Sequence, residues 1–114
     1  MSSNKISSLS KNEDFRFLLK GKKISNKYFT IFFDKIINKD NNNLNISFVV
    51  KKKIGNAVKR NKIKRRLKNI TNDALKKTSL NFNYSYLVVA KKTVLNDNYE
   101  DIKETLFSNF KKIR

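Results

Sequence analysis

Apolar positions recur along the chain with two different periods, and the switches between them lay out the elements. Phe15, Leu18 and Leu19 stand at i, i+3 and i+4, a helical spacing. Ahead of them Ser10-Lys11-Asn12-Glu13 has the form of a capping box, with Ser10 as the cap and Glu13 reaching back, and Gly21 supplies the stop. Aromatic and β-branched residues over 28–37 predict a strand with Phe29, Ile31 and Phe33 on one face and Tyr28, Thr30 and Phe32 on the other. Both faces are apolar or aromatic, so both are expected to be covered or used. A polar turn over 38–43 leads to a second strand over 44–50, with Leu44, Ile46, Phe48 and Val50 on one side. The pair reads as a hairpin.

Gly55-Asn56 then punctuates the chain before a long helix whose apolar stripe is Ile63, Leu67, Ile70 and Ala74. At 100° per residue Lys62, Arg65, Arg66 and Lys68 are expected to point away from that stripe, whereas Arg60 falls about 20° from the Leu67 direction and is expected to turn toward the protein. A third apolar strand covers 84–90. Asp97-x-x-Glu100 resembles a capping box and opens a helix with the stripe Tyr99, Ile102, Leu106, Phe110 and Ile113. The order is α-β-β-α-β-α, with room for an extra short strand over 51–54. No repeat, linker or boundary interrupts residues 1–114, which read as one domain with 1–9 as a flexible arm.

Composition changes this picture in two ways. The 114 residues include no His and no Cys, which excludes zinc fingers, thiol nucleophiles, imidazole bases and disulfide partners. The polar start of the chain lacks the apolar core of a signal peptide and no run is long enough to span a membrane, so a cytoplasmic protein without membrane contact is expected. Against that stand 27 Lys+Arg and only 9 Asp+Glu, a net charge of +18. Such a charge strains a small fold unless a polyanion neutralises it. Lys outnumbers Arg 22 to 5, a preference that AT-rich codon usage would produce by itself. Codon usage does not explain the placement: no acid falls between Asp40 and Asp73, and residues 51–68 hold ten of the positive charges. The acids at Glu13, Asp14 and 97–104 stand at helix N-termini, where they complement the dipole and offer no convincing catalytic constellation.

The segment 51–67 combines a Lys cluster, a Gly turn and a helix bearing an array of Lys and Arg, a pattern suited to phosphate. It closely resembles the signature of the bacterial ribonuclease P protein subunit family, Lys-Lys-x-Gly-x-Ala-Val-x-Arg-Asn-Arg-x-Lys-Arg. Lys52, Lys53, Gly55, Ala57, Val58, Arg60, Asn61, Lys64 and Arg65 match it in spacing and type. Asn12-Glu13-Asp14-Phe15 looks like the family's first helix, and 87–91 like its late strand.

The resemblance implies an α+β fold: a small α/β sandwich like ribosomal protein S5 domain 2, with a left-handed β-α-β crossover. It implies a protein that assists a catalytic RNA in removing the 5′ leader of precursor tRNA, with Mg²⁺ held mainly by that RNA in a bacterial cytoplasm. Its partners are then the catalytic RNA and precursor tRNA. By position, Lys52, Lys53, Asn56, Arg60, Asn61, Lys62, Lys64, Arg65, Arg66 and Lys68 are expected to face the catalytic RNA. Phe15, Leu19, Tyr28, Thr30, Phe32 and Lys91 are expected to line the leader cleft. Plain core packing is the competing role for Phe15 and Phe32. The chain departs from the family at Lys62, where a second Arg is usual, and at Val49 and Lys51. The span from Phe15 to Gly21 is one residue shorter than usual, so either Leu18 or Leu19 takes the family's second aromatic position. Two other classes compete: a ribosomal-protein-like RNA binder without a processing role, and a nonspecific DNA-compacting protein.

Overall fold

Each strand of the chain finds its place through the faces it must bury. The computed structural model describes residues 6–9, 11–36, 43–77 and 80–113. Its elements are β1 (Ile6–Ser7), α1 (Asn12–Leu19), β2 (Lys22–Ser25), β3 (Phe29–Asp34), β4 (Leu44–Val49), a 3-10 turn (Lys52–Ile54), α2 (Ala57–Lys77), β5 (Ser85–Ala90), α3 (Thr93–Asn96) and α4 (Tyr99–Lys112). The strands form one sheet in the order β1-β4-β5-β3-β2. β5 runs parallel to β4 and antiparallel to β3, β2 is antiparallel to β3, and β1 is parallel to β4.

The hairpin expected of β3 and β4 does not form, because β5 lies between them. β5 carries Tyr86, Val88 and Ala90 on one face and Leu87 and Val89 on the other. A strand apolar on both faces is most stable in the centre, paired on both edges and covered on both sides. α2 is then the crossover joining the parallel neighbours β4 and β5. With helices on both faces of a mixed sheet, the fold is the small α+β sandwich.

The main core lies between one sheet face and α2, α3 and α4. Phe29, Ile31, Leu44, Ile46 and Val88 meet Ile63, Leu67, Ile70, Ala74, Ile102, Leu106 and Phe110 there. The expected stripes of both long helices are therefore the ones buried, each Leu or Ile contributing about 1.5–3 kcal/mol relative to exposure. A smaller cluster fills the opposite face, where α1 packs Leu18 against Leu9 and Leu87, with Phe15, Phe32, Ile36, Val49 and Val89 around them.

Several local expectations change. Ser10, expected to cap the first helix, lies outside the described residues, as do Ile37 and 38–42 of the expected turn; Lys11 precedes α1 and its side chain makes no capping bond. The arm expected over 1–9 is held from residue 6 onward. Ile6 and Ser7 pair with Leu44 and Asn45, and the buried Leu9 donates its N–H to Ser47 Oγ at 2.8 Å. Space is tight at Gly21: a Cβ there would stand 2.9 Å from Asp34 Oδ2 and 3.2 Å from the Phe33 carbonyl, so a side chain would have to displace Asp34. β2 has no apolar alternation to announce it; pairing with β3 creates it. Residues 52–54 form a 3-10 turn where the sequence left room for an extra short strand. α4 is capped by Asn98, whose Oδ1 accepts from the Glu100 and Asp101 N–H groups at 2.8 and 3.4 Å. Asp97, expected in that role, instead follows α3 and ion-pairs with Lys27 at 3.5 Å.

Candidate RNA interface

α1 covers only part of its sheet face, and the register shows which part. Ser47, Leu87, Phe32 and Lys23 form one row across β4, β5, β3 and β2. Leu87 in this row is buried in the cluster that Leu18 of α1 completes, with Phe32 packed against it. The next row is Val49, Val89, Thr30 and Ser25, and none of its members is fully buried. Three strand spacings of about 4.8 Å make this row a floor roughly 14 Å long.

A groove stands at each end of the row. The first, about 490 Å³, lies beside β4 where the two-residue β1 has stopped; Ser47, Phe48 and Val49 line it together with Leu9 and Phe15 on one side and Lys64, Arg65 and Lys68 on the other. The second, about 380 Å³, has Thr30, Ile54, Val89 and Ala90 as its floor and Lys51, Lys53, Lys91 and Lys92 around it. Val49 lines the first groove and its register partner Val89 the second, so the two lie side by side along this row. An apolar floor with an aromatic side chain at one end and ammonium and guanidinium groups along its rims suits single-stranded nucleic acid, whose bases stack while its phosphates seek positive charge.

The expected RNA-facing residues divide into three groups. Asn61, Lys62, Lys64, Arg65 and Lys68 stand exposed along α2, and Lys52 and Lys53 on the turn before it. Asn56 caps α2, its Oδ1 accepting from the Lys59 N–H at 3.0 Å. Arg60 is turned toward the protein as its helical angle predicts, with Nε donating to the Gly55 carbonyl at 3.2 Å. Arg66 departs from expectation. Its guanidinium is half-buried against the carbonyls of Val94 and Leu95, at 2.8 and 3.0 Å, and of Asp97 at 3.2 Å, with Tyr99 5.7 Å away. Three residues after Ile63 means 300°, or 60° back toward the apolar stripe, so the periodicity already placed Arg66 on its flank.

Of the expected leader-cleft residues, Phe15, Thr30 and Phe32 reach the α1 face. Leu18 is fully buried, whereas Leu19, four residues after Phe15, is 51% exposed. Tyr28 does not join them: it precedes β3, packs in the main core at 4% exposure and meets Phe29 ring to ring. The Tyr28 hydroxyl, then the Asp97 carboxylate, raise the neighbouring Lys27 ammonium above its ordinary pKa. Lys91 rims the second groove while its Nζ donates to Ser25 Oγ at 3.2 Å and to the Asn26 carbonyl. Val49, Val89, Lys51 and Lys92 join the site without having been singled out for it, since only the register of β5 between β3 and β4 assembles them. Among the described residues no three acids gather as a metal cage, and no helix is long and apolar enough to cross a membrane.

Known proteins are similar to this chain in sequence and fold. The Ribonuclease P family matches residues 4–114. The ribonuclease P protein component of Carboxydothermus hydrogenoformans is 37% identical over 107 residues, covering 90% of this chain and 87% of the relative. That of Streptococcus agalactiae is 32% identical, covering 83% of each. Among solved structures, the RNase P protein of Thermotoga maritima superposes with a TM-score of 0.78 at 25% identity, over 95% of this chain and 98% of that one. The RNase P protein of Staphylococcus aureus gives 0.74 at 27% identity, over 93% of both. With the signature on α2, the sandwich around it and relatives aligned along nearly the whole length, the chain belongs to the ribonuclease P protein family, the protein components of a tRNA-processing endoribonucleoprotein.

Proposed function

We propose that this chain holds the 5′ leader of precursor tRNA on the row Val49-Val89-Thr30 while the exposed face of α2 docks on the catalytic RNA. The observation that carries this reading is the first groove, where Phe15 of α1 faces Lys64, Arg65 and Lys68 of α2 across the end of that row. Phe15 is the stacking surface there, worth about 1–3 kcal/mol per base, and the exposed Leu19 of the same helix is assigned a further apolar contact with the leader. Lys53, Lys91 and Lys92 neutralise leader phosphates at the far end, and Lys52, Asn61, Lys62, Lys64, Arg65 and Lys68 meet the catalytic RNA. Arg60 and Asn56 act at one remove, by fixing the start of α2.

The cleavage itself is assigned to the RNA. Its Mg²⁺ supplies the metal-bound water and charge stabilisation that phosphodiester hydrolysis needs. Among the described residues no three acids gather about one point, and the proposal assigns no catalytic step to the protein's side chains. The protein's contribution is binding and orientation, in a bacterial cytoplasm.

Reconstitution with the catalytic RNA tests this. Precursor-tRNA cleavage at low Mg²⁺ is expected to rise when the protein is added, and affinity is expected to be higher for precursor with a leader than for mature tRNA. Phe15→Ala is expected to reduce that difference without weakening catalytic-RNA binding. A protein that leaves cleavage unchanged, or binds both tRNAs equally, overturns the proposal.

A further inference from the structure

Two guanidinium groups of the basic segment are not used by the proposed RNA surface: Arg60, which fixes the start of α2, and Arg66. Arg66 points back across α2 and satisfies three backbone carbonyls at the end of α3, those of Val94, Leu95 and Asp97. α3 is a single turn, and carbonyls at a helix C-terminus lack intrahelical donors, so a cation placed there completes them and complements the dipole.

The consequence lies at the second groove. One of its rims, Lys51 and Lys53, belongs to the turn that leads directly into α2; the other, Lys91 and Lys92, leads directly into α3. Four ammonium groups about one groove repel one another, most strongly before RNA arrives. The 91–97 corner is tied to the β2–β3 turn by the Lys91 N–H on the Tyr28 carbonyl at 2.7 Å, the Thr93 hydroxyl on the Lys27 carbonyl at 2.5 Å, and the Lys27–Asp97 pair. Val94 packs in the core with the α2 stripe, and Arg66 adds a hydrogen-bonded tie from that corner to α2.

We propose that Arg66 is a positioning residue for the leader groove, holding Lys91 and Lys92 in place across from Lys51 and Lys53 by clamping α3 to α2. This rests on the reading that the groove takes leader phosphates. The geometry asks for the planar guanidinium: a Lys ammonium keeps the charge but lacks the fork that reaches three carbonyls at once.

Holoenzymes carrying Arg66→Gln or Arg66→Lys test it. Affinity is measured for precursor tRNA with a leader and for mature tRNA, together with the salt dependence of catalytic-RNA binding. Both variants are expected to lower the leader-dependent gain roughly tenfold, the scale of one lost charge-assisted contact, with the salt slope unchanged. A slope smaller by about 0.7–0.9 in the Gln variant, together with rescue by Lys, identifies Arg66 as a phosphate ligand and overturns the proposal. So does an intact leader-dependent gain in variants that melt earlier, which makes Arg66 merely structural. Should Arg66→Gln fail to fold, Arg66→Lys carries the same comparison. A wild-type holoenzyme with no leader-dependent gain overturns the underlying reading instead, and this inference with it.

Discussion

Replacing Lys64 and Arg65 together by Gln removes two charges from the exposed face of α2, and the structure bounds what should follow. Residues 51–68 hold ten positive charges. Arg60 and Arg66 are committed to backbone carbonyls, and of the rest Lys52, Lys62, Lys64, Arg65 and Lys68 are the five proposed to meet the catalytic RNA. At about 0.7 counterions released per single-strand phosphate, five contacts give a log–log salt slope near −3.5 for catalytic-RNA binding, and three give about −2.1. Raising salt from about 50 to about 200 mM is then expected to weaken the wild-type chain by roughly 130-fold and the double variant by roughly 20-fold. The assay is fluorescence anisotropy of labelled catalytic RNA across a salt series, with circular dichroism as a check on the fold. Both side chains are exposed, and the nearby acids Asp73 and Asp97 pair with Lys103 and Lys27, so the fold should not depend on them. Relieving part of the +18 self-repulsion should if anything stabilise it. A flat salt response, an unchanged slope in the variant, or a lost fold would refute the reasoning.

Three further outcomes follow from particular contacts. Leu18→Ala is expected to cost about 2–5 kcal/mol in denaturant unfolding, since the side chain is fully buried; Leu19→Ala is expected to stay within about 0.5 kcal/mol of wild type while weakening binding of leader-bearing precursor. Asn98→Ala is expected to cost about 1 kcal/mol through loss of the α4 cap, whereas Asp97→Ala, which breaks an exposed pair with Lys27, should cost less; thermal melts that reverse this order would restore the capping box at Asp97. Burial, and then Tyr84, push the Tyr86 phenol well above its ordinary value of 10.0. The unfolded chain therefore loses that proton first, so stability should be level below pH 10 and fall as pH rises beyond it. Tyr86→Phe should flatten that decline while losing the hydroxyl's bond to the Asn81 carbonyl.

The sequence by itself determined the parts whose signals are local. The stripes of α2 and α4, the apolar strands β3, β4 and β5, the acid-free basic segment and the family signature follow from periodicity and spacing within one element. So did the inward turn of Arg60, because a helical angle is a local quantity. Tertiary structure decided whatever depends on which element lies beside which. β5 displaced the expected hairpin because two adjacent strands in sequence cannot bury its second apolar face. β2 exists because β3 offers it an edge. Tyr28 went to the core because it sits beyond the end of β3, where strict alternation no longer holds. Leu18 and Leu19 look alike in sequence, and only the placement of α1 over Leu87 made one core and left the other exposed. The two grooves from Phe15 to Lys91 belong to this second class throughout: their floor is a row of one residue per strand, brought into line by a pairing register that no single segment encodes.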